Sequence, residues 1–186
     1  MEGKLISREE GFTLVKRHLS KKNLIKHVLA VEAIMRVLAE RFGEDVESWG
    51  LAGLIHDLDY EETESSPERH GHVTIDLVSS QDIPADVRHA ILAHADQVER
   101  ISLMDKAIYC SDPVTGLIVA SVLMHPSKSL AGMDADFVGK RFKEKRFAAG
   151  ANRDAIAGCS ELGLELHEFL EISLDAMRKI SKDLGL

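Results

Sequence analysis

The chain has 186 residues, of which 45% are hydrophobic and 29% charged, and its formal net charge is -8. This length is enough for a domain with a real core, and the composition is ordinary for a soluble globular protein. The negative charge offers no general basic surface for duplex nucleic acid. No uninterrupted apolar run reaches the roughly 18 residues that a membrane span needs. We therefore expect neither duplex nucleic acid nor a membrane among its partners.

The two cysteines, Cys110 and Cys159, both lie within apolar helical patterns. Cysteines in such positions are usually buried thiols, and they stay reduced in the cytoplasm. The sequence therefore predicts a cytoplasmic protein without disulfides. It leaves the oligomeric state open.

Helical patterns dominate the N-terminal half. Ser7 followed by Glu10 is a capping-box signature and predicts a helix to about Leu19. Apolar residues recur at three- and four-residue intervals between residues 23 and 43, which predicts a second helix. A third helix is predicted over residues 44–58.

The middle of the chain changes from polar to helical. Residues 59–66 are polar and predict a loop, after which Pro67 predicts the start of a fourth helix that carries both His70 and His72. A fifth helix is predicted to begin at Pro84.

A long apolar helix is predicted next. Ser102 and Asp105 form its capping box, and the apolar pattern continues to about Met124. Pro113 lies inside this helix and is expected to bend its axis, because proline removes a backbone hydrogen bond.

Three further helices are predicted after this one, over residues 134–147, 152–159 and 164–184. The first of them is basic and amphipathic. The chain shows no convincing strand, repeat or low-complexity linker, so we expect an all-α fold.

An apolar run ends in the adjacent pair His56 and Asp57. A buried carboxylate costs several kcal/mol unless it is paired or bound to a metal, so a divalent cation is its simplest partner. Imidazole and carboxylate are both good ligands for hydrolytic metals. Histidines and aspartates on other predicted helices supply further candidates, and the full set is His27, His56, Asp57, His70, His94 and Asp112.

Spacing alone does not show that these residues meet. A histidine near a helix C-terminus is also favoured by the helix dipole, and an aspartate before proline is common in turns. His72 is a rival to His70, because residues two apart on a helix cannot both face one site.

The order His, His-Asp, His, His, Asp resembles the HD superfamily of metal-dependent phosphohydrolases. The resemblance covers about residues 20–125, and residues 109–116 and 141–149 are also similar to a group of small predicted HD hydrolases. It implies an HD-domain helical bundle with a C-terminal helical extension. We therefore expect a single domain over residues 1–186, with the HD core at about 20–125 and the C-terminal helices at about 130–186.

The resemblance also implies roles for individual residues. Asp57 would be the carboxylate able to bridge two ions. Four residues match the core metal set: His27, His56, Asp57 and Asp112.

His70 and His94 match the added ligands of two-metal branches of the superfamily. Many two-metal members carry a further histidine where this chain has Ala95. The sequence therefore leaves open whether one or two ions bind.

The implied activity is that of a metal-dependent phosphohydrolase, in which metal-bound hydroxide attacks a small phosphate ester or anhydride. A nucleotide is the preferred substrate class. The ligand types suit one or two ions of Mn, Fe, Co, Ni, Zn or Mg. Two alternatives remain: a non-catalytic nucleotide-sensing HD module, and a di-iron oxygenase of HD type.

Charged residues outside the ligand set were assigned candidate roles as well. Guanosine tetraphosphate hydrolases of the superfamily position water with an acidic pair after the His-Asp motif, and Glu61 and its neighbours look similar, although a solvated loop is the ordinary interpretation. Lys106 and the basic run 140–146 with Arg153 could bind a substrate phosphate or simply form a solvated face. The predicted catalytic set is His56, Asp57, Asp59, Glu61 and Lys106.

Overall fold

The computed structural model describes residues 5–186, and over that range the chain forms helices and turns without a β-strand. The predicted all-α class is confirmed. Short 3-10 turns cover Pro67–Arg69, Leu130–Gly132 and Gly158–Leu162. The α-helices are α1 (Arg8–His18), α2 (Lys22–Phe42), α3 (Val46–Ile55), α4 (Tyr60–Thr63), α5 (His72–Leu77), α6 (Ala85–His94), α7 (Leu103–Met124), α8 (Ala135–Lys143), α9 (Arg153–Ala157), α10 (Leu166–Lys179) and α11 (Ser181–Leu184).

Local sequence explains where two of the helices begin. The Ser7 side chain accepts a hydrogen bond from Glu10 N, and the Glu10 carboxylate accepts one from Ser7 N. Ser102 and Asp105 make the same reciprocal pair at the start of α7. Both predicted capping boxes are thus confirmed, and each satisfies backbone N–H groups that have no partner within the helix.

Close packing of α2 against α3 sets the frame of the core. A Cβ atom on Gly53 would lie 2.9 Å from the backbone nitrogen of Glu32, so the two helices approach too closely for any larger residue. Helix α7 lies against α2, α6 and α9 and supplies fully buried residues such as Ile108 and Leu117. The ends of α2, α3, α6 and α7 are therefore held in fixed positions relative to one another.

Helix α7 is long and apolar enough to cross a membrane by length and composition alone. The search for uninterrupted apolar runs missed this, because polar residues interrupt the helix. Of its most apolar window, 56% is buried inside the molecule, as expected for the core helix of a folded domain. Such a helix is weak evidence for a membrane span, and the lack of a membrane partner stays a prediction.

The predicted fourth helix is broken at His70 and Gly71. The 3-10 turn ends before His70, whose backbone is extended, and Gly71 has a φ of 80°. A Cβ on Gly71 would also lie 3.1 Å from the carbonyl oxygen of Ile91. The prediction of one continuous helix was therefore wrong, because glycine permits a reversal here that other residues resist. The predicted loop 59–66 likewise contains α4.

Candidate metal centre

His56 and Asp57 follow directly after the last residue of α3, and both are buried. The imidazole Nδ1 of His56 donates to the carbonyl oxygen of Gly53 at 2.8 Å. This bond holds the ring at the end of the helix with Nε2 pointing away from it. The helix end thus presents one nitrogen and one carboxylate to the interior.

The first group of candidate ligands surrounds one oxygen of Asp57. His27 Nε2 lies 3.4 Å from Asp57 Oδ2 and 3.0 Å from Asp112 Oδ1, and His56 Nε2 lies 3.6 Å from Asp57 Oδ2. Atoms bound to one ion at about 2.1 Å are separated from each other by about 3–3.5 Å. The four side chains of His27, His56, Asp57 and Asp112 therefore have the spacing of a shared ligand shell.

The second group uses the other oxygen of Asp57. His70 Nε2 lies 3.3 Å from Asp57 Oδ1, and His94 Nε2 lies 3.5 Å from the same atom. The two Nε2 atoms are 3.1 Å apart. Asp57 is therefore placed between two sets of ligand atoms, with one oxygen facing each set.

All four imidazoles are oriented by an acceptor at Nδ1. A ring that donates through Nδ1 has its lone pair on Nε2 in the neutral form. The Thr115 hydroxyl can accept from His27 because it donates its own proton to the carbonyl oxygen of Asp112 at 2.9 Å. The acceptors are Thr115 Oγ1 for His27 (2.9 Å), Gly53 O for His56 (2.8 Å), Asp59 Oδ1 for His70 (2.8 Å) and Ile91 O for His94.

The ligand atoms of the two groups fit a divalent cation, because several of their imidazole nitrogens have no suitable hydrogen-bond partner. His56 Nε2 is buried and has no hydrogen-bond partner. His70 and His94 direct their Nε2 atoms at each other, and two lone pairs in that position need a proton or a cation between or beside them. A buried polar atom without a partner costs about 1–3 kcal/mol, and coordination removes that cost. The nitrogen and oxygen ligands without a thiolate suit a first-row divalent metal.

The carboxylates of the cluster raise the affinity of two of its imidazoles for protons. Burial alone would lower the pKa of His27, but hydrogen bonds to Asp112 and Asp57 outweigh it and raise that pKa to about 10. The pKa of His70 is also raised to about 10, against the effect of burial, by Asp57 and Asp59. Burial would raise the pKa of Asp57, yet the surrounding imidazoles hold it well below its usual value. The cluster is therefore a site for positive charge, which a metal ion can supply in place of protons.

Asp59 is buried behind His70 and not within the ligand set. One carboxylate oxygen accepts from His70 Nδ1, and the other accepts from the backbone nitrogens of Gly71 and Thr74 at 2.8 and 3.1 Å. Carboxylates in this position fix the tautomer and raise the basicity of a ligating histidine. The structure thus gives Asp59 a positioning role in place of the predicted catalytic one.

Glu61 and Lys106 are not brought to the cluster. The Glu61 carboxylate accepts from Ser20 N, Ser20 Oγ and Lys21 N at 2.7–2.9 Å, so it binds the chain at the start of α2. The Lys106 ammonium lies 3.8 Å from Glu161. The structure therefore brings neither of these two predicted catalytic residues to the ligand atoms, because Glu61 contacts Ser20 and Lys21 and Lys106 contacts Glu161 instead.

Of the two rival histidines, His70 is the one at the cluster. His72 follows Gly71 and is exposed on α5. His89, on α6, is half-buried and pairs with Asp105 at 3.1 Å, away from the ligand set.

A cavity of about 360 Å³ opens beside the ligands. A second cavity of about 340 Å³ shares His27, Asp112, Pro113 and Gly150 with it, so the two form one continuous cleft. Sequence reasoning missed five polar residues of the lining: Tyr60, Asp96, Tyr109, Thr115 and Asn152. Tyr109 could have been found from its position three residues before Asp112 on α7, but Asn152 carries no such signal.

Arg153 holds the loop that forms one wall of this cleft. Its guanidinium donates to the carbonyl oxygens of Phe142 at 3.2 Å and of Ala148 and Ala151 at 2.7 Å, and also to that of Phe147. The predicted phosphate-binding role of Arg153 is therefore wrong, because its donors are taken by the backbone.

Arg141 is also paired, with Glu144 at 2.8 Å. Four other cations of the predicted phosphate-binding run are exposed and make no ion pair with the described residues, namely Lys140, Lys143, Lys145 and Arg146. None of them is among the residues that line the cleft.

An all-α bundle with inward-facing histidines around a shared aspartate defines a class of metal-binding helical proteins. The model of the HD domain family matches residues 24–117, which is half of the chain. The chain belongs to the HD domain family, as the resemblance implied.

Curated relatives named ribonuclease Y share parts of the sequence. Ribonuclease Y of Latilactobacillus sakei is 28% identical over 94 residues, covering 50% of this chain and 18% of the relative. Ribonuclease Y 1 of Pediococcus pentosaceus is 33% identical over 78 residues, covering 42% and 15%. Ribonuclease Y of Nitratidesulfovibrio vulgaris is 22% identical over 166 residues, covering 88% and 32%. The chain thus spans less than a third of the length of these relatives. No solved structure matches it significantly.

Proposed function

We propose that this protein is a metal-dependent phosphohydrolase of a small phosphate ester or anhydride, with a nucleotide as substrate, and that it acts in the cytoplasm. The observation that carries the proposal is the double ligand set around Asp57 with every imidazole Nε2 turned inward. Membership of the HD domain family supports a metal-dependent hydrolase, and the name of the relatives indicates hydrolysis at phosphorus.

The roles of the chain's residues follow from their contacts. His27, His56, Asp57 and Asp112 would hold one ion, and Asp57, His70 and His94 a second. A bound divalent ion lowers the pKa of a coordinated water towards about 7 and takes negative charge from a phosphoryl oxygen.

The acceptors at Nδ1 keep these imidazoles from rotating, so the ligand atoms need little rearrangement when an ion and a substrate bind. A nucleophilic side chain is not required. Asp57 and Asp112 remain ionised at neutral pH because the surrounding imidazoles lower the pKa of both carboxyl groups against the effect of burial.

A second candidate is hydrolysis of a phosphodiester in RNA. The names of the curated relatives favour it. The net charge of -8 and an acidic cleft weigh against an extended polyanion, because binding many phosphates normally needs a basic surface. We therefore place the mononucleotide first.

The test begins with protein stripped by a chelator and reloaded with Mn, Fe, Co, Ni, Zn or Mg ions. Hydrolysis products are then separated by chromatography for nucleotides, a dinucleotide and a short single-stranded RNA, because cleavage of a phosphodiester leaves a phosphate monoester and frees no inorganic phosphate. We expect turnover with at least one metal and none without metal. Turnover only on RNA would select the second candidate. Binding of nucleotide without turnover would indicate the sensing module, and oxygen-dependent products would indicate the di-iron oxygenase.

Variants tie the activity to the cluster. His56→Ala and Asp57→Ala should lose at least about 10³-fold in kcat/KM while they retain the helical circular dichroism spectrum. His167→Ala is the matched control, because His167 is exposed and pairs only with Asp136 on the surface. Full activity in His56→Ala would refute the proposal.

A further inference from the structure

The cleft beside the metal centre is lined without any lysine or arginine, as far as residues 5–186 are concerned. Arg100 contacts two residues of the lining: it pairs with Asp96, and its guanidinium lies over the Tyr109 ring, 3.7 Å from the centroid. Asp96 itself lines the cleft. A substrate phosphate that does not contact the metal centre would therefore meet carboxylates and neutral groups.

The neutral groups of the cleft are hydrogen-bond donors. The chain contains two tyrosines, Tyr60 and Tyr109, and both line the cleft. Neither phenol hydroxyl has a hydrogen-bond partner within the described part of the chain. A phenol is a donor at neutral pH and carries no charge.

Asn152 supplies a third donor with a fixed orientation. Its Oδ1 accepts from the backbone nitrogens of Asp154 and Ala155 at 3.0 and 3.1 Å, which caps α9. Because the oxygen is committed to the cap, the amide cannot flip without losing both bonds. Its Nδ2 therefore keeps two N–H donors free at the lining of the cleft.

We infer that the cleft accepts a nucleoside carrying a single phosphate ester group, and that Asn152, Tyr60 and Tyr109 select it through uncharged hydrogen bonds. The inference rests on the proposed function and narrows its substrate. A nucleoside monophosphate and a dinucleoside monophosphate share this chemistry, so the experiment includes both.

Charge explains the selection. Two divalent ions would carry four positive charges against the two carboxylates of Asp57 and Asp112, which would leave about two positive charges for one phosphate monoester to neutralise. Each further phosphate would add negative charge near Asp96 with no cation of the lining to balance it.

The first arm compares AMP, ADP, ATP and the dinucleotide ApA at equal free metal concentration. We expect kcat/KM to fall by about tenfold for each phosphate added beyond the first. Equal or higher kcat/KM for ATP would overturn the inference.

The second arm uses Asn152→Ser and Asn152→Ala. Serine is a good cap and removes the amide donors, so Asn152→Ser should keep the melting temperature of the parent while KM for AMP rises by about tenfold and kcat changes little. If Asn152 had only a structural role, KM for AMP would be unchanged in Asn152→Ser, and the only effect would be a lower melting temperature of Asn152→Ala. That result would overturn the assignment of Asn152 to substrate selection. Tyr60→Phe and Tyr109→Phe should raise KM in the same way.

The third arm addresses the exposed cations of the neighbouring loop. A double variant, Lys145→Ala with Arg146→Ala, should leave kcat/KM for AMP within about twofold of the parent, because neither side chain lines the cleft. A loss of tenfold or more would show that cations grip the phosphate, against the inference.

Measurements of nucleotide binding distinguish a failure of this inference from a failure of the proposed function. If no metal supports turnover on any compound, the proposed function fails, and the inference is then judged by equilibrium dialysis of AMP, ADP and ATP with the metal-loaded protein. Tighter binding of AMP supports it in that case. Tighter binding of ATP refutes it.

Discussion

Replacement of Asp59 by asparagine should weaken metal binding at one half of the metal centre and leave the other half unchanged. Oδ2 of Asp59 accepts from two backbone N–H groups, of Gly71 and Thr74, whereas Oδ1 accepts only from His70 Nδ1. The amide oxygen of an asparagine would stay with the two backbone donors, because turning the amide would set its NH2 against both of them. The NH2 group would then face His70 Nδ1 and convert it from a donor into an acceptor.

The consequence is a change of tautomer at His70. A ring that accepts at Nδ1 carries its proton on Nε2, which is the atom that faces Asp57 and His94. Loss of such a supporting contact typically costs about 10–100-fold in metal affinity, which corresponds to about 1.4–2.7 kcal/mol. The group formed by His27, His56, Asp57 and Asp112 does not use Asp59 and should keep its affinity.

The measurement is a metal titration monitored by calorimetry, with a competing chelator to set the free metal concentration. Parent protein should show two binding events, and Asp59→Asn should show one unchanged event and one weakened by the stated factor. The control is Asp105→Asn, since Asp105 is also buried, also accepts from backbone nitrogens and also pairs with a histidine, His89, but away from the cluster. Two unchanged events in Asp59→Asn, or an equal loss in the control, would refute the reasoning.

Three further predictions concern packing, pH and the thiols. Gly53→Ala should lower the free energy of unfolding in urea by about 1–3 kcal/mol, because the added Cβ would meet the α2 backbone at 2.9 Å. Gly116→Ala in α7 is the control, since a Cβ there meets open space, and it should be neutral or stabilising by up to about 1 kcal/mol. Equal effects of the two substitutions would contradict this account of the α2–α3 contact. Metal affinity should rise with pH. The neighbouring carboxylates raise the pKa values of His27 and His70 to about 10, against the effect of burial. Below about pH 10 these imidazoles hold protons that must leave when an ion binds. Calorimetry in two buffers of different ionisation enthalpy should therefore detect proton release at neutral pH, and identical heats would argue against it. Burial raises the pKa of Cys110 well above its usual value and that of Cys159 to about 11, so native protein should react far more slowly with a maleimide than urea-unfolded protein does. Rapid labelling of the native state would contradict the burial.

The parts of the fold that local contacts decide could be predicted from the sequence. The capping boxes at Ser7 and Ser102 use residues three apart, so their geometry is set within a single turn. The break at Gly71 lies where the chain passes close to α6, since a Cβ at this position would be 3.1 Å from the carbonyl oxygen of Ile91, and a local pattern does not contain that proximity. The local pattern therefore predicts one continuous helix through His70 and His72, where the structure has a break.

The candidate ligands could be chosen from their types and order, but the direction of a side chain could not. Asp59 and Glu61 are two residues apart in one acidic stretch, yet one is buried behind His70 and the other binds the start of α2. Nothing in the stretch distinguishes them, because the difference depends on partners elsewhere in the fold: Asp59 binds His70, Gly71 and Thr74, whereas Glu61 binds Ser20 and Lys21. Asn152 was out of reach for a related reason, since it is 40 residues further along the chain than Asp112 and meets the cleft only in the folded state.

The matched family region ends at residue 117, while Asn152 and the loop clamped by Arg153 lie beyond it. Asn152, one of the three residues that we infer to select the substrate, is thus encoded outside the stretch that supplies the metal ligands, whereas Tyr60 and Tyr109 lie inside it. A change at position 152 can alter the contacts to a substrate without altering a ligand. Two HD proteins with identical ligands can accordingly differ in what they bind beside the metal centre, and part of that difference should be sought downstream of residue 117.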